Sequence, residues 1–61
     1  MYRELEAITD KYTIYKVGNT YEVESKRVIV FIGSEEESRG FIAKHPYGLT
    51  KAEREALKIE Q

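Results

Sequence analysis

His45 is the one side chain in this sequence whose ordinary pKa suits proton transfer near neutral pH. The chain has no cysteine, its one aspartate is the distant Asp10, and no triad pattern surrounds the imidazole. A histidine at the end of an expected helix, facing the negative pole of the helix dipole, fits it better. Glu35, Glu36 and Glu37 form an acidic run that would draw a metal ion or a basic partner. Consecutive helical residues point in different directions, however, so the three carboxylates cannot converge on one ion. Gly33 to Gly40, "GSEEESRG", follows a strand as a phosphate-binding loop does, but it lacks the lysine and hydroxyl ending and its glutamates repel phosphate. Tyr12, Tyr15 and Tyr21 have the rings to stack nucleobases, with Lys16, Lys26 and Arg27 as the cations for phosphate. No catalytic residue, metal ligand or cofactor is expected.

The elements that carry these residues begin with "YTIYKVGNTYEVES", Tyr12 to Ser25. Gly18-Asn19 between two β-rich runs predicts a two-residue type II′ turn, because glycine takes the positive φ of the first central position. Counting outward pairs Val17 with Thr20, Lys16 with Tyr21, Tyr15 with Glu22 and Ile14 with Val23. One face then collects Tyr12, Ile14, Tyr21 and Val23 as a core. Thr13, Tyr15, Val17, Thr20, Glu22 and Glu24 fall on the other.

Lys26-Arg27 leaves room only for another tight reversal, into Val28 to Ile32, "VIVFI". A strand apolar on both faces is expected to be covered, yet a simple meander places this one at the sheet edge, where it invites aggregation. Three coverings are available: Arg3 to Thr9 as a fourth strand, a helix over the edge, or another chain. Tyr2, Leu5 and Ile8 have rough helical spacing, whereas Leu5 and Ala7 alternate with Glu4 and Glu6 as in a strand. The expectation adopted for Arg3 to Thr9 is a helical turn. With strict alternation along the third strand, Ile29 and Phe31 join Tyr15 and Val17 on the second face, an apolar patch for a partner.

Ser34 and Glu37 form a capping box that opens a helix from Glu35 to about Lys44, stopped by Pro46 and Gly48. Gly40 inside it costs about 1 kcal/mol relative to alanine, so an extended reading of "RGFIAKH" is carried alongside. Thr50 and Glu53 form a second box, opening a helix from Lys51 to about Glu60. The expected fold is α+β, one domain over residues 1–61: a three-stranded antiparallel β-meander, two short C-terminal helices, and the helical turn at the N-terminus.

Two stretches resemble known families. "LTKAEREAL" is similar to the first helix of the response-regulator helix-turn-helix, which implies a turn and a recognition helix after it. Only four residues follow Leu57. The order of three meander strands and a helix, "YTIYKVGNTYEVESKRVIVFIGSEEESRGFIAK", resembles the sheet-type DNA-binding domains of phage and transposon integrases and of plant ethylene-response factors. That resemblance implies major-groove reading from the sheet face, where this chain carries Glu22 and Glu24.

The formal net charge is -1, with acids and bases interspersed, which argues against a polybasic arm or a membrane-surface helix. "MYRELE" has no apolar core of a signal peptide, and "VIVFI" is too short to span a bilayer, so a soluble cytoplasmic protein is expected. A chain of 61 residues buries only about 60% of the surface that its unfolded form exposes, and a partner subunit would help it. These observations point to a non-enzymatic regulator or inhibitor of phage or mobile-element type. It would occlude a partner protein, or homodimerise, through Val28 to Ile32 or the patch of Tyr15, Val17, Ile29 and Phe31. The alternative is a nucleic-acid-binding module using Lys16, Lys26 and Arg27.

Overall fold

Turn chemistry sets the sheet. In the computed structural model, which describes residues 2–60, Gly18 has φ of 60° and Asn19 stays at negative φ, the signs of a type II′ turn. It joins β2 (Thr13–Val17) to β3 (Thr20–Ser25) in the expected register, from Val17 opposite Thr20 to Ile14 opposite Val23. Ser25 pairs with Val28 across Lys26-Arg27, which leads into β4 (Val28–Gly33). Both turn residues are left-handed, at φ of 48° and 70°, a conformation that costs a side chain with a Cβ about 1 kcal/mol or more.

The sheet has four strands rather than three. Residues Glu4–Ile8 form β1, antiparallel to β2, and the order is β1-β2-β3-β4. The expected N-terminal helical turn is therefore a strand. A helix this short is unstable alone, whereas a strand supplies partners for the backbone groups along the outer side of β2. The connection is pinned by Thr9: its hydroxyl accepts from the Tyr12 amide at 3.0 Å, and its own amide donates to the Tyr12 carbonyl at 2.8 Å. The fourth strand extends the sheet at β2, so β4 is still an edge.

Both edge strands carry a bulge. In β1 the register shifts between Leu5, opposite Tyr15, and Ala7, opposite Ile14. In β4, Ile29 lies opposite Glu24 and Phe31 opposite Val23, which leaves Val30 as the extra residue. Bulges at edges twist the strand and blunt further pairing.

α1 (Glu35–Lys44) lies across β3 and β4 on one face, and α2 (Lys51–Leu57) lies against β4. Tyr12, Val23, Val30 and Leu49 are buried between them, with Val28, Phe31, Phe41 and Ile42 packed around. Phe31 stacks on Phe41 at 5.0 Å, and the Phe41 ring also meets Tyr12 and His45. The Tyr12 hydroxyl donates to the His45 carbonyl at 2.6 Å, and burial, with Glu53 nearby, pushes its phenol above the usual 10.0.

Both capping boxes form: Ser34 and Thr50 accept from the amides of Glu37 and Glu53, whose carboxylates accept from the cap amides. Those bonds, from the cap amide first and the cap hydroxyl second, hold the Glu37 and Glu53 carboxyls below the usual range. α2 stops at Leu57 rather than near Glu60. Lys58 turns out of the helix at ψ of 126°, and the Ile59 amide donates to the Ile29 carbonyl at 2.8 Å. A free backbone acceptor on the edge of β4 outcompetes another half-turn of helix.

"RGFIAKH" is helical through Lys44, so Gly40 sits inside α1, exposed and with open space where a Cβ would project. Gly40→Ala is expected to stabilise the chain by about 0.5–1 kcal/mol, read as a higher urea midpoint at unchanged slope. No helix among the described residues is long and apolar enough to cross a membrane.

Candidate functional site on the open sheet face

The pleat and the two bulges distribute the side chains into rows. On the face under α1 one row reads Ala7, Ile14, Val23, Phe31. On the opposite face one row reads Leu5, Tyr15, Glu22, Ile32, and the next reads Ile8, Thr13, Glu24, Ile29. Each open-face row has an aliphatic residue at either margin and a glutamate on β3. Leu5 and Ile8 are 57% and 70% exposed, while Ile29 and Ile32 are half-buried.

Of the four residues expected to form one patch, Tyr15, Val17 and Ile29 belong to this open face. Phe31 does not. The extra residue Val30 breaks the alternation, so Phe31 turns under α1 and stacks on Phe41. Lys16 lies opposite Glu4 and Tyr21 on the other face, and Lys26 and Arg27 form the β3–β4 turn. The three cations expected for phosphate are thus split between a sheet face and a hairpin tip. Tyr12 and Tyr21 lie on the core side as expected from the register.

The unexpected member of the site is Arg3. It precedes β1 and reaches across Tyr15, its guanidinium carbon 4.0 Å from the ring centroid. Its Nε is 3.2 Å from Glu22 Oε1, and a terminal nitrogen is 3.6 Å from Glu24 Oε2. This contact covers part of Glu22, which is only 4% exposed. A carboxylate withdrawn from water needs a cation or a full set of hydrogen bonds. Arg3 was hidden in the sequence because its partners lie two strands away. The signal that points to it is the pair of acids on one hairpin face beside an aromatic ring.

His45 sits at the end of α1, tilted against Phe41, with its amide donating to the Ile42 carbonyl. Glu35 pairs with Arg39 one turn on, and Glu37 is taken up by the cap. Among the described residues, no group of three or more histidines, cysteines, aspartates or glutamates is placed to hold a metal ion. Set against protein-family models, curated proteins and solved structures, the chain finds no match in any of the three comparisons.

Proposed function

We propose that this chain is a non-enzymatic protein-interaction module, a small regulator or inhibitor that lays its open sheet face on a partner protein or on a second copy. The observation that supports it is the pair of aliphatic side chains, Leu5 and Ile8, held more than half exposed at one margin of a face that also carries Tyr15, Ile29 and Ile32. Exposed apolar surface rimmed by polar groups is the usual mark of an interaction site. The chain measures 29 Å by 23 Å across its longer axes. Occlusion is the simplest mechanism for so small a protein, and a phage or mobile-element origin suits it.

Nucleic acid is the less supported partner. Glu22 and Glu24 on the open face repel phosphate, and Lys16 lies on the other side of the sheet.

The test is the double variant Leu5→Lys, Ile8→Lys. Both side chains are largely solvated, so the circular dichroism spectrum is expected to stay native. Sedimentation of the wild type is expected to show a dimer, or a complex with a host protein, that the variant loses. A wild-type chain that stays monomeric at millimolar concentration and retains no host protein would sink the reading.

A further inference from the structure

The β3–β4 hairpin tip and the groove beside it have features that neither the core nor the open face explains. Lys26 and Arg27 hold both central positions of the turn at positive φ, 48° and 70°, where asparagine and glycine sit most readily. Residues kept in a costly backbone conformation cluster at ligand-binding sites. Neither side chain belongs to a salt bridge among the described residues, and both are exposed. Where the tail meets the β4 margin, an open groove of about 530 Å³ is lined by the half-buried Val28, Ile29 and Ile59 and by Arg27, Lys58 and Glu60. Lys58 lies 3.8 Å from Glu60, so these two charges offset each other. Arg27 is thus the uncommitted charge of the groove, a guanidinium beside aliphatic side chains.

We propose that this groove docks an acidic segment of a partner protein, in which a carboxylate meets Arg27 and a neighbouring apolar side chain lies on Val28, Ile29 and Ile59. The planar fork of arginine takes a carboxylate through two parallel hydrogen bonds, and the exposed Lys26 adds a second positive charge at the tip. Charge alone would serve nucleic acid equally, but the aliphatic lining offers nothing to a phosphate backbone and Glu60 repels it. The groove is open rather than enclosed, which suits a segment of chain that continues past it. The site goes beyond the open-face reading and stands apart from it, since Leu5 and Ile8 lie at the opposite margin of the sheet. An Asn-Gly tip would make the more stable hairpin; the cationic tip gives up that stability for recognition.

The chain is titrated with a capped peptide of alternating glutamate and leucine, following the amide resonances of Arg27, Val28 and Ile59. Saturable shifts with a millimolar midpoint are expected. A peptide with lysine for glutamate should give no response, and one with serine for leucine a midpoint about tenfold higher. Lys26→Asn with Arg27→Gly should raise the midpoint about tenfold or more while the melting temperature rises. Arg27→Gln, which keeps the Cβ, should weaken binding likewise without the gain in stability, and serves if the double variant misfolds. Leu5→Lys, Ile8→Lys should leave the peptide response unchanged. Shifts that do not saturate, an equal response to the lysine peptide, undiminished binding by the tip variants, or loss of the response in Leu5→Lys, Ile8→Lys overturn the proposal without touching the open-face reading. Oligothymidylate shifting the same resonances more strongly than the peptide overturns it in favour of a phosphate site. If the peptide binds as expected while Leu5→Lys, Ile8→Lys changes no association, only the open-face reading falls.

Discussion

Phe31→Ser is expected to unfold the domain or bring it to the edge of unfolding, while Ile29→Ser leaves it folded. The two residues are near neighbours in an apolar run, yet they answer to different surroundings. Phe31 stacks on Phe41 and packs against the buried cluster of Tyr12, Val23, Val30 and Leu49. Truncating a core phenylalanine costs about 3–5 kcal/mol, and partial exposure of Phe31 lowers this to about 2–4. At about 0.05–0.15 kcal/mol per residue, the whole chain holds only about 3–9 kcal/mol. Ile29 lies on the open face at the sheet margin, and its structural contribution, the carbonyl that accepts from Ile59, survives any side-chain change. A loss of about 1–2 kcal/mol is expected there. Urea titrations followed by circular dichroism separate the two; similar midpoints for both variants would mean that the bulge does not sort these residues onto opposite faces.

The second large effect has the opposite sign. Lys26→Asn with Arg27→Gly should stabilise the chain by about 1–2 kcal/mol, or roughly 4–16 °C in melting temperature for a domain of this size. A two-residue hairpin loop with both central residues at positive φ is the type I′ geometry, for which asparagine followed by glycine is the preferred pair. The native pair is lysine at φ of 48° and arginine at φ of 70°. Neither cation belongs to a salt bridge among those formed by the described residues. The tip thus bears strain without a visible return in stability, and calorimetry of the double variant measures it. An unchanged or lower melting temperature would show that these side chains stabilise the turn in some other way.

The β2–β3 hairpin was legible because Gly18 fixes the turn and the period of two then assigns every side chain. The helix starts were legible because a hydroxyl and a glutamate three residues apart satisfy the first free amides wherever they occur. β1 was not. Its few residues fit either periodicity, and the choice is made by the unpaired backbone of β2, a requirement that arises only once the hairpin exists. The bulge in β4 was invisible for a plainer reason. "VIVFI" is apolar at every position, so no polar residue marks where the alternation slips. That slip moved Phe31 out of the expected patch, and the register of β1 brought Leu5 and Ile8 into it. Arg3 lay beyond any local rule, since cross-strand reach is a property of the assembled sheet.

The bond from Ile59 to Ile29 bears on how copies of this chain can assemble. A sheet open at both margins can add neighbours head to tail without end, which is how fibres grow. Here the β4 margin is met at Ile29 by the chain's own tail and flanked by α2, while the β1 margin, among the described residues, is blunted by its bulge alone. Any edge-to-edge pairing is steered to β1 against β1, a two-fold contact that uses up the free margin of both copies. Copies that paired in this way would stop at two, because the tail holds the Ile29 carbonyl that a third copy would need.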